Sequence, residues 1–195
     1  VRRRRLFQSV SPGQNKIFRR HLQFGILGAT WLSSHQKGDV QTENKNKIMS
    51  LHTPDLTKFP PRSARVRLGG YAILPRCLDK GRAELAGKNG EYHYACPLDQ
   101  QFLEFAGIDP EALKKELAKS DTEVLEWITK HAKNKRTAPE IAAWTQWQEN
   151  RAPNNPDGRE YLNGIHKAVA PTRTDITTWF DVLDADDFAS FGGKA

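Results

Sequence analysis

From residue 97 onward the sequence is punctuated by helix starts, and these limit the fold more than any other feature. They are Asp109-Pro110, Ser120-Asp-Thr-Glu123, Thr137-Ala-Pro-Glu140 and Asn155-Pro156. Each places a side-chain oxygen before a first turn, where it can accept an otherwise unpaired N–H, with a Pro or an acid just inside. Ser120 with Glu123 and Thr137 with Glu140 fit the reciprocal capping box. The intervals leave room for short helices and short links. The expectation is an all-α single domain of about six to seven short helices.

The segments between these starts read accordingly. "LDQQFLEFAG" opens at Pro97 or Asp99 and closes at Gly107. "EALKKELAK", "VLEWITKHAK", "IAAWTQWQENR" and "DGREYLNGIHKAV" follow, the last ended by Pro171. "WFDVLDADDFA" completes the series, capped by Thr174 or Asp175, with Trp179, Phe180 and Leu183 inward. Upstream, "GGYAILPRCLDKGRAELAG" puts Tyr71, Leu74, Leu78 and Leu85 at near-helical spacing and ends at Gly87. Pro75 there either kinks the helix or marks the first turn of its second half. "TPDLTKFPPRSARVRLGGY" (53–71) reads as an ordered N-terminal arm, with a helix beginning near Arg65 or Leu68. "KNGEYHYACP" (88–97) is a loop, because one short strand has nothing to pair with. Trp127, Trp144, Trp147 and Trp179 read first as core and clamps, and secondarily as a stacking platform.

Charge divides the chain at Met49. Residues 1–48 hold ten Lys/Arg against two acids, whereas residues 49–195 hold twenty against twenty-one. The early segment has no helical or strand period. Arg19-Arg20 before "LQFGILGATWL" is faintly signal-like but lacks a cleavage site; an Arg-rich targeting peptide is the second reading. The favoured reading is that 1–48 is a disordered or non-native extension and that translation starts at Met49. The domain is then 49–187, and 188–195 is a frayed tail. A nucleic-acid partner follows only if residues 1–48 belong to the working protein. No apolar run approaches the roughly 18–20 residues of a membrane span, so a cytoplasmic protein without a membrane partner is expected.

Two stretches gather chemistry. "GEYHYACPLD" (90–99) brings together Glu91, Tyr92, His93, Tyr94, Cys96 and Asp99. His93-x-x-Cys96 offers two ligand types, but no second pair follows, so no metal or other cofactor is assigned. Cys96 as a nucleophile needs a base beside it, and His93 is the nearest in sequence. Pro97 after Cys96 equally fits a plain structural turn. Cys77 and Cys96 are expected to be reduced, buried thiols.

The second stretch is basic. Lys58, Arg62, Arg65, Arg67, Arg76, Lys80 and Arg82 face a single acid, Asp79, within 58–82. Arg62, Arg65 and Arg67 beside Gly69-Gly70, with Arg76, present donors for a phosphate or carboxylate. No GxxxxGK[ST] or GxGxxG pattern accompanies them. The competing reading pairs these arginines with the chain's own Asp181, Asp184, Asp186 and Asp187. The acidic run 174–187 lacks the ligand order of an EF-hand and is read as a helix.

"DLTKFPPRSARVRLGGYAILPRCLDKGRAELAG", "GEYHYACPLDQQFLEFAGID" and "DITTWFDVLDADD" together resemble a bacterial family known only as a domain of unknown function, numbered 5069. The resemblance runs from about Asp55 to Asp187. It implies a small single-domain bacterial protein starting near Met49, and it supplies no catalytic residues. From the residues, the expected function is a binding or interaction module. It receives an anionic small molecule or an acidic partner through Arg62, Arg65, Arg67, Arg76, Glu91, His93, Cys96 and Asp99. The alternative is an enzyme or metal protein centred on His93, Cys96 and Asp99.

Overall fold

The computed structural model describes residues 53–193. The basic segment 1–48 and the boundary at Met49 lie outside the described residues, and so does the end of the C-terminal tail. Among the described residues there are seven α-helices. No strand forms beyond one bridge between Leu68 and Tyr71.

The helices are α1 (Leu74–Leu85), α2 (Pro97–Ala106), α3 (Pro110–Lys114), α4 (Asp121–His131), α5 (Ala138–Asn150), α6 (Pro156–Val169) and α7 (Trp179–Ser190). Local chemistry sets most of their starts. Asp109 Oδ1 accepts from Ala112 N–H, and Asn155 Oδ1 from Gly158 N–H. Full capping boxes form at Ser120–Glu123 and Thr137–Glu140. Gly107 ends α2 in the left-handed conformation, returning N–H groups to Leu103 and Glu104 carbonyls.

Two helix starts differ from expectation. The first helix begins at Leu74, not near Arg65 or Leu68. Gly69 and Gly70 both take positive φ and turn the chain through the Leu68–Tyr71 bridge, which stops any earlier helix. Pro75 then lies in the first turn of α1, where a missing N–H costs nothing. The last helix is capped by Thr178 with Asp181 rather than Thr174 or Asp175. Asp175 instead binds the Arg173 guanidinium. This helix runs on through Ser190.

The arrangement centres on α1, in which every residue from Leu74 to Ala83 is buried. Its Leu74, Cys77 and Leu78 share the main core with Phe102 and Leu103 of α2, Leu113, Leu117, Val124 and Ile128, and Phe180 of α7. Leu85, the last of the near-helical apolar series, is 58% exposed. A second, smaller cluster joins Leu162 of α6 to Ile176, Val182 and Ala185.

The aromatic residues mostly clamp. Phe105 stacks on Trp144 with ring centroids 4.6 Å apart, and the Arg136 guanidinium covers Phe105. Trp147 is the outward one, with Arg151 over its ring. The segment 53–73 has no helix. Its Leu56, Ala64 and Tyr71 are buried, and it is tied to the body by Leu56 N–H to Lys88 O and Ile73 N–H to Ala64 O.

Candidate functional site

A helix buried all round is normally apolar. α1 is not, since Arg76, Asp79, Lys80 and Arg82 are all buried in it. Each such charge is costly away from water unless it is paired and hydrogen-bonded. The partners come from far along the chain, and they define two regions.

The first region consumes the basic arm. Arg62 grips Asp79 through Nε and Nη2 at 2.9 and 2.7 Å, and reaches Asp121 through Nη1 at 2.6 Å. Arg82 donates to the other Asp121 oxygen at 2.6 Å, and to the Leu117 and Lys119 carbonyls. Burial pushes the Asp121 carboxyl up, but the two guanidiniums outweigh it and hold it below the usual range. Arg65 binds Asp181 and Asp184, and Arg67 binds Glu149 with both carboxylate oxygens. Arg76 donates to Asp187 at 2.6 and 3.1 Å, and Tyr92 donates its hydroxyl to the same carboxylate at 2.8 Å. So Arg62, Arg65, Arg67 and Arg76 each already hold a carboxylate of this chain.

The second region is a small buried cluster where α1 meets the N-terminus of α2. Gly81 makes it possible. A Cβ there would stand 2.4 Å from Leu117 Cδ1 and 2.9 Å from Tyr94 Cδ2, so the glycine is what lets these two side chains lie this close to α1. Tyr94 is buried against this spot and donates its hydroxyl to the Pro110 carbonyl. Ala95 follows with a positive φ of 55°, a conformation that costs a non-glycine residue energy. Cys96 comes next as the N-cap residue of α2.

The turn delivers Cys96 Sγ to within 3.0 Å of Lys80 Nζ, which donates to it. Lys80 Nζ also lies 2.8 Å from Asp99 Oδ1, with side-chain exposures of 3% and 0%. That contact has the distance of an ion pair but not the angles of a good hydrogen bond, and neither Asp99 oxygen has a well-formed one. Burial pushes Asp99 up against the opposing pull of Lys80. Burial alone would lower Lys80, yet the Asp99 charge and the Cys96 contact more than offset it and keep the ammonium protonated.

Cys77 lies in the same region, fully buried, its thiol raised by burial first and by the Asp99 charge second. Cys96 is half-buried rather than buried, and it is the member of the cluster that reaches solvent.

The residues read from sequence therefore separate. Cys96 and Asp99 meet, but through Lys80. His93 and Glu91 are exposed and make no hydrogen bond to Lys80, Cys96 or Asp99. Among the described residues, no group of three or more His, Cys, Asp or Glu is placed to hold a metal ion. Lys80 was hidden because it counts as one more charge in a basic stretch. One signal could have revealed it: apolar or small residues occur on every side of α1 (Leu74, Cys77, Leu78, Gly81, Ala83), which marks a buried helix.

The geometry defines an all-helical domain built round a buried, charged helix, with a half-exposed thiol held beside a lysine–aspartate pair. A protein-family profile described as "Domain of unknown function (DUF5069)" matches residues 58–189, and the chain belongs to that family. No protein with a curated description matches it. No helix of the described residues is long and apolar enough to cross a membrane.

Proposed function

We propose that the working part of this domain is the 90–99 loop where it meets α1, and that Cys96 is its reactive atom. The observation that carries this reading is the Lys80 Nζ–Cys96 Sγ contact of 3.0 Å. Cys96 serves as a nucleophile toward an electrophilic small molecule arriving from solvent. Lys80 holds the sulfur with a charge-assisted donor, and Asp99 holds Lys80. His93 and Glu91 are exposed on the same loop, and in this proposal they contact the arriving molecule. This is the enzyme reading with Lys80, a protonated donor to the sulfur, beside Cys96 where the sequence suggested His93 as a base.

The basic arm serves the fold in this account. An anion or acidic partner at Arg62, Arg65, Arg67 or Arg76 would have to displace a bound carboxylate, which costs the site an existing ion pair. The working residues fall within 49–187, and none lies in 1–48. A pair of free cysteines fits a reducing, cytoplasmic setting.

The test is peptide-resolved alkylation of the native full-length protein with iodoacetamide. Cys96 should be modified in the folded state and Cys77 only after unfolding. Equal modification of the two, or no modification of Cys96, contradicts the proposal.

A further inference from the structure

We propose that Lys80 and Cys96 form a reversible covalent nitrogen–oxygen–sulfur bridge when the protein meets hydrogen peroxide. The inference rests on the reading of Cys96 as a reactive thiol and adds a modification site on a lysine.

Three observations carry it. The Nζ and Sγ atoms are already in contact at 3.0 Å, a gap that one shared oxygen can span. Lys80 cannot swing away, because its ammonium is buried and held 2.8 Å from Asp99 Oδ1. Access is one-sided: Cys96 is partly exposed, whereas Lys80, Asp99 and Cys77 are buried. Peroxide therefore reaches the sulfur first, and the donor atom already in contact with that sulfur is Lys80 Nζ.

The chemistry balances with two peroxides. The Cys96 thiolate attacks one peroxide oxygen, the O–O bond breaks, and a sulfenic acid forms with release of hydroxide. That hydroxide removes a proton from the Lys80 ammonium to give water. A second peroxide takes two electrons from the nitrogen as the N–O bond forms to the sulfenic oxygen, and two more waters leave. Sulfur and nitrogen have each lost two electrons, and three waters account for the remaining oxygens and hydrogens. Excess thiol supplies four electrons to reverse the bridge, restoring the thiol and the amine with one water.

The bridge has a structural consequence. It removes the positive charge that faces Asp99, leaving a fully buried carboxylate without its counter-ion. Oxidation would therefore both mask the nucleophile and loosen the junction of α1 with α2.

The test treats the native full-length protein with hydrogen peroxide, then digests it with trypsin and measures peptide masses. The expected product joins residues 77–82 to residues 89–114, with one added oxygen, two fewer hydrogens and no cleavage after Lys80. Dithiothreitol should release it. Cys77→Ala should keep the link, and Lys80→Arg should lose it. Residues 77–80 joined to residues 89–114 without the added oxygen, Lys80 having been cleaved normally, would be a Cys77–Cys96 disulfide and would overturn the bridge. Cys96 oxidised but unlinked would overturn the bridge while leaving the reactive-thiol reading intact. No oxidation at Cys96 would overturn both.

Discussion

Lys80 and Cys96, sixteen residues apart in sequence, meet at 3.0 Å because Gly81 lets the loop carrying the cysteine lie flat on the helix carrying the lysine. The lysine is held there by Asp99, which is fully buried and offers the ammonium its nearest carboxylate. The fold and the candidate site thus share one junction. Substitutions there should disturb both together.

The Lys80–Asp99 pair should be strongly coupled. Lys80→Met leaves a buried carboxylate, and Asp99→Leu leaves a buried ammonium; each should cost about 3–5 kcal/mol, since removing one partner strands the other. The double substitution should cost far less than the sum, because no charge is left buried. Urea unfolding of the four proteins measures the coupling. Additive losses would mean that the pair is not an energetic unit.

Gly81→Ala should destabilise the protein, although alanine normally favours a helix interior by about 1 kcal/mol over glycine. The added Cβ would overlap Leu117 and Tyr94, and overpacking costs about 1–3 kcal/mol. Thermal unfolding decides the sign. A stabilised variant would show that Tyr94 and Leu117 yield, and that the close approach of the loop is not required.

The helices were legible because their signals are local. A Ser120–Glu123 box or an Asp109-Pro110 pair states a helix start within four residues, and both formed as read. The misplaced starts were also matters of competing local signals. Thr174, Asp175 and Thr178 all carry capping oxygens, and the choice fell to Thr178 because Asp181 completes its box while Asp175 is taken by Arg173. The arginine partners were half legible. Asp181, Asp184 and Asp187 could be nominated as nearby acid density, but Arg67–Glu149 and Arg62–Asp121 bridge residues that share no pattern. Lys80 was illegible as a site residue for the same reason: its burial depends on contacts with a loop and a helix that only the folded chain supplies.

Two residues with positive φ should respond in opposite directions to glycine. At Ala95, glycine removes backbone strain and loses only a methyl group, so Ala95→Gly should gain on the order of 0.5 kcal/mol. At Ile73 the same relief is outweighed, because the side chain is fully buried and its loss leaves a cavity worth about 2–5 kcal/mol. Denaturant midpoints of the two variants test this. A gain at Ile73 would mean that strain there exceeds the packing.

Asp186 gives a pH signature. Burial, with the neighbouring Asp187 charge adding to it, pushes its carboxyl up to about 6. The folded protein therefore holds this proton where the unfolded chain has released it. The contribution is most favourable below the ordinary value of 3.8 and is lost as pH rises toward about 6. Asp186→Asn should remove that loss and stabilise the protein at pH 7 by roughly 1 kcal/mol, after allowance for solvent screening. The gain should vanish at pH 4. Equal stability of both proteins at pH 7 would place Asp186 in the ordinary range.

The most direct test of the central claim is the rate at which iodoacetamide modifies Cys96 at pH 7. It should be measured in the native protein, in Lys80→Met and in the charge-balanced pair Lys80→Met/Asp99→Asn, each confirmed as folded by circular dichroism. Cys96 should react well ahead of Cys77 in the native protein. Both variants should slow it about tenfold, the size expected when a charge-assisted hydrogen bond of about 1.5 kcal/mol is removed. An unchanged rate would contradict the assignment of Lys80 as the residue that sustains the reactive thiol.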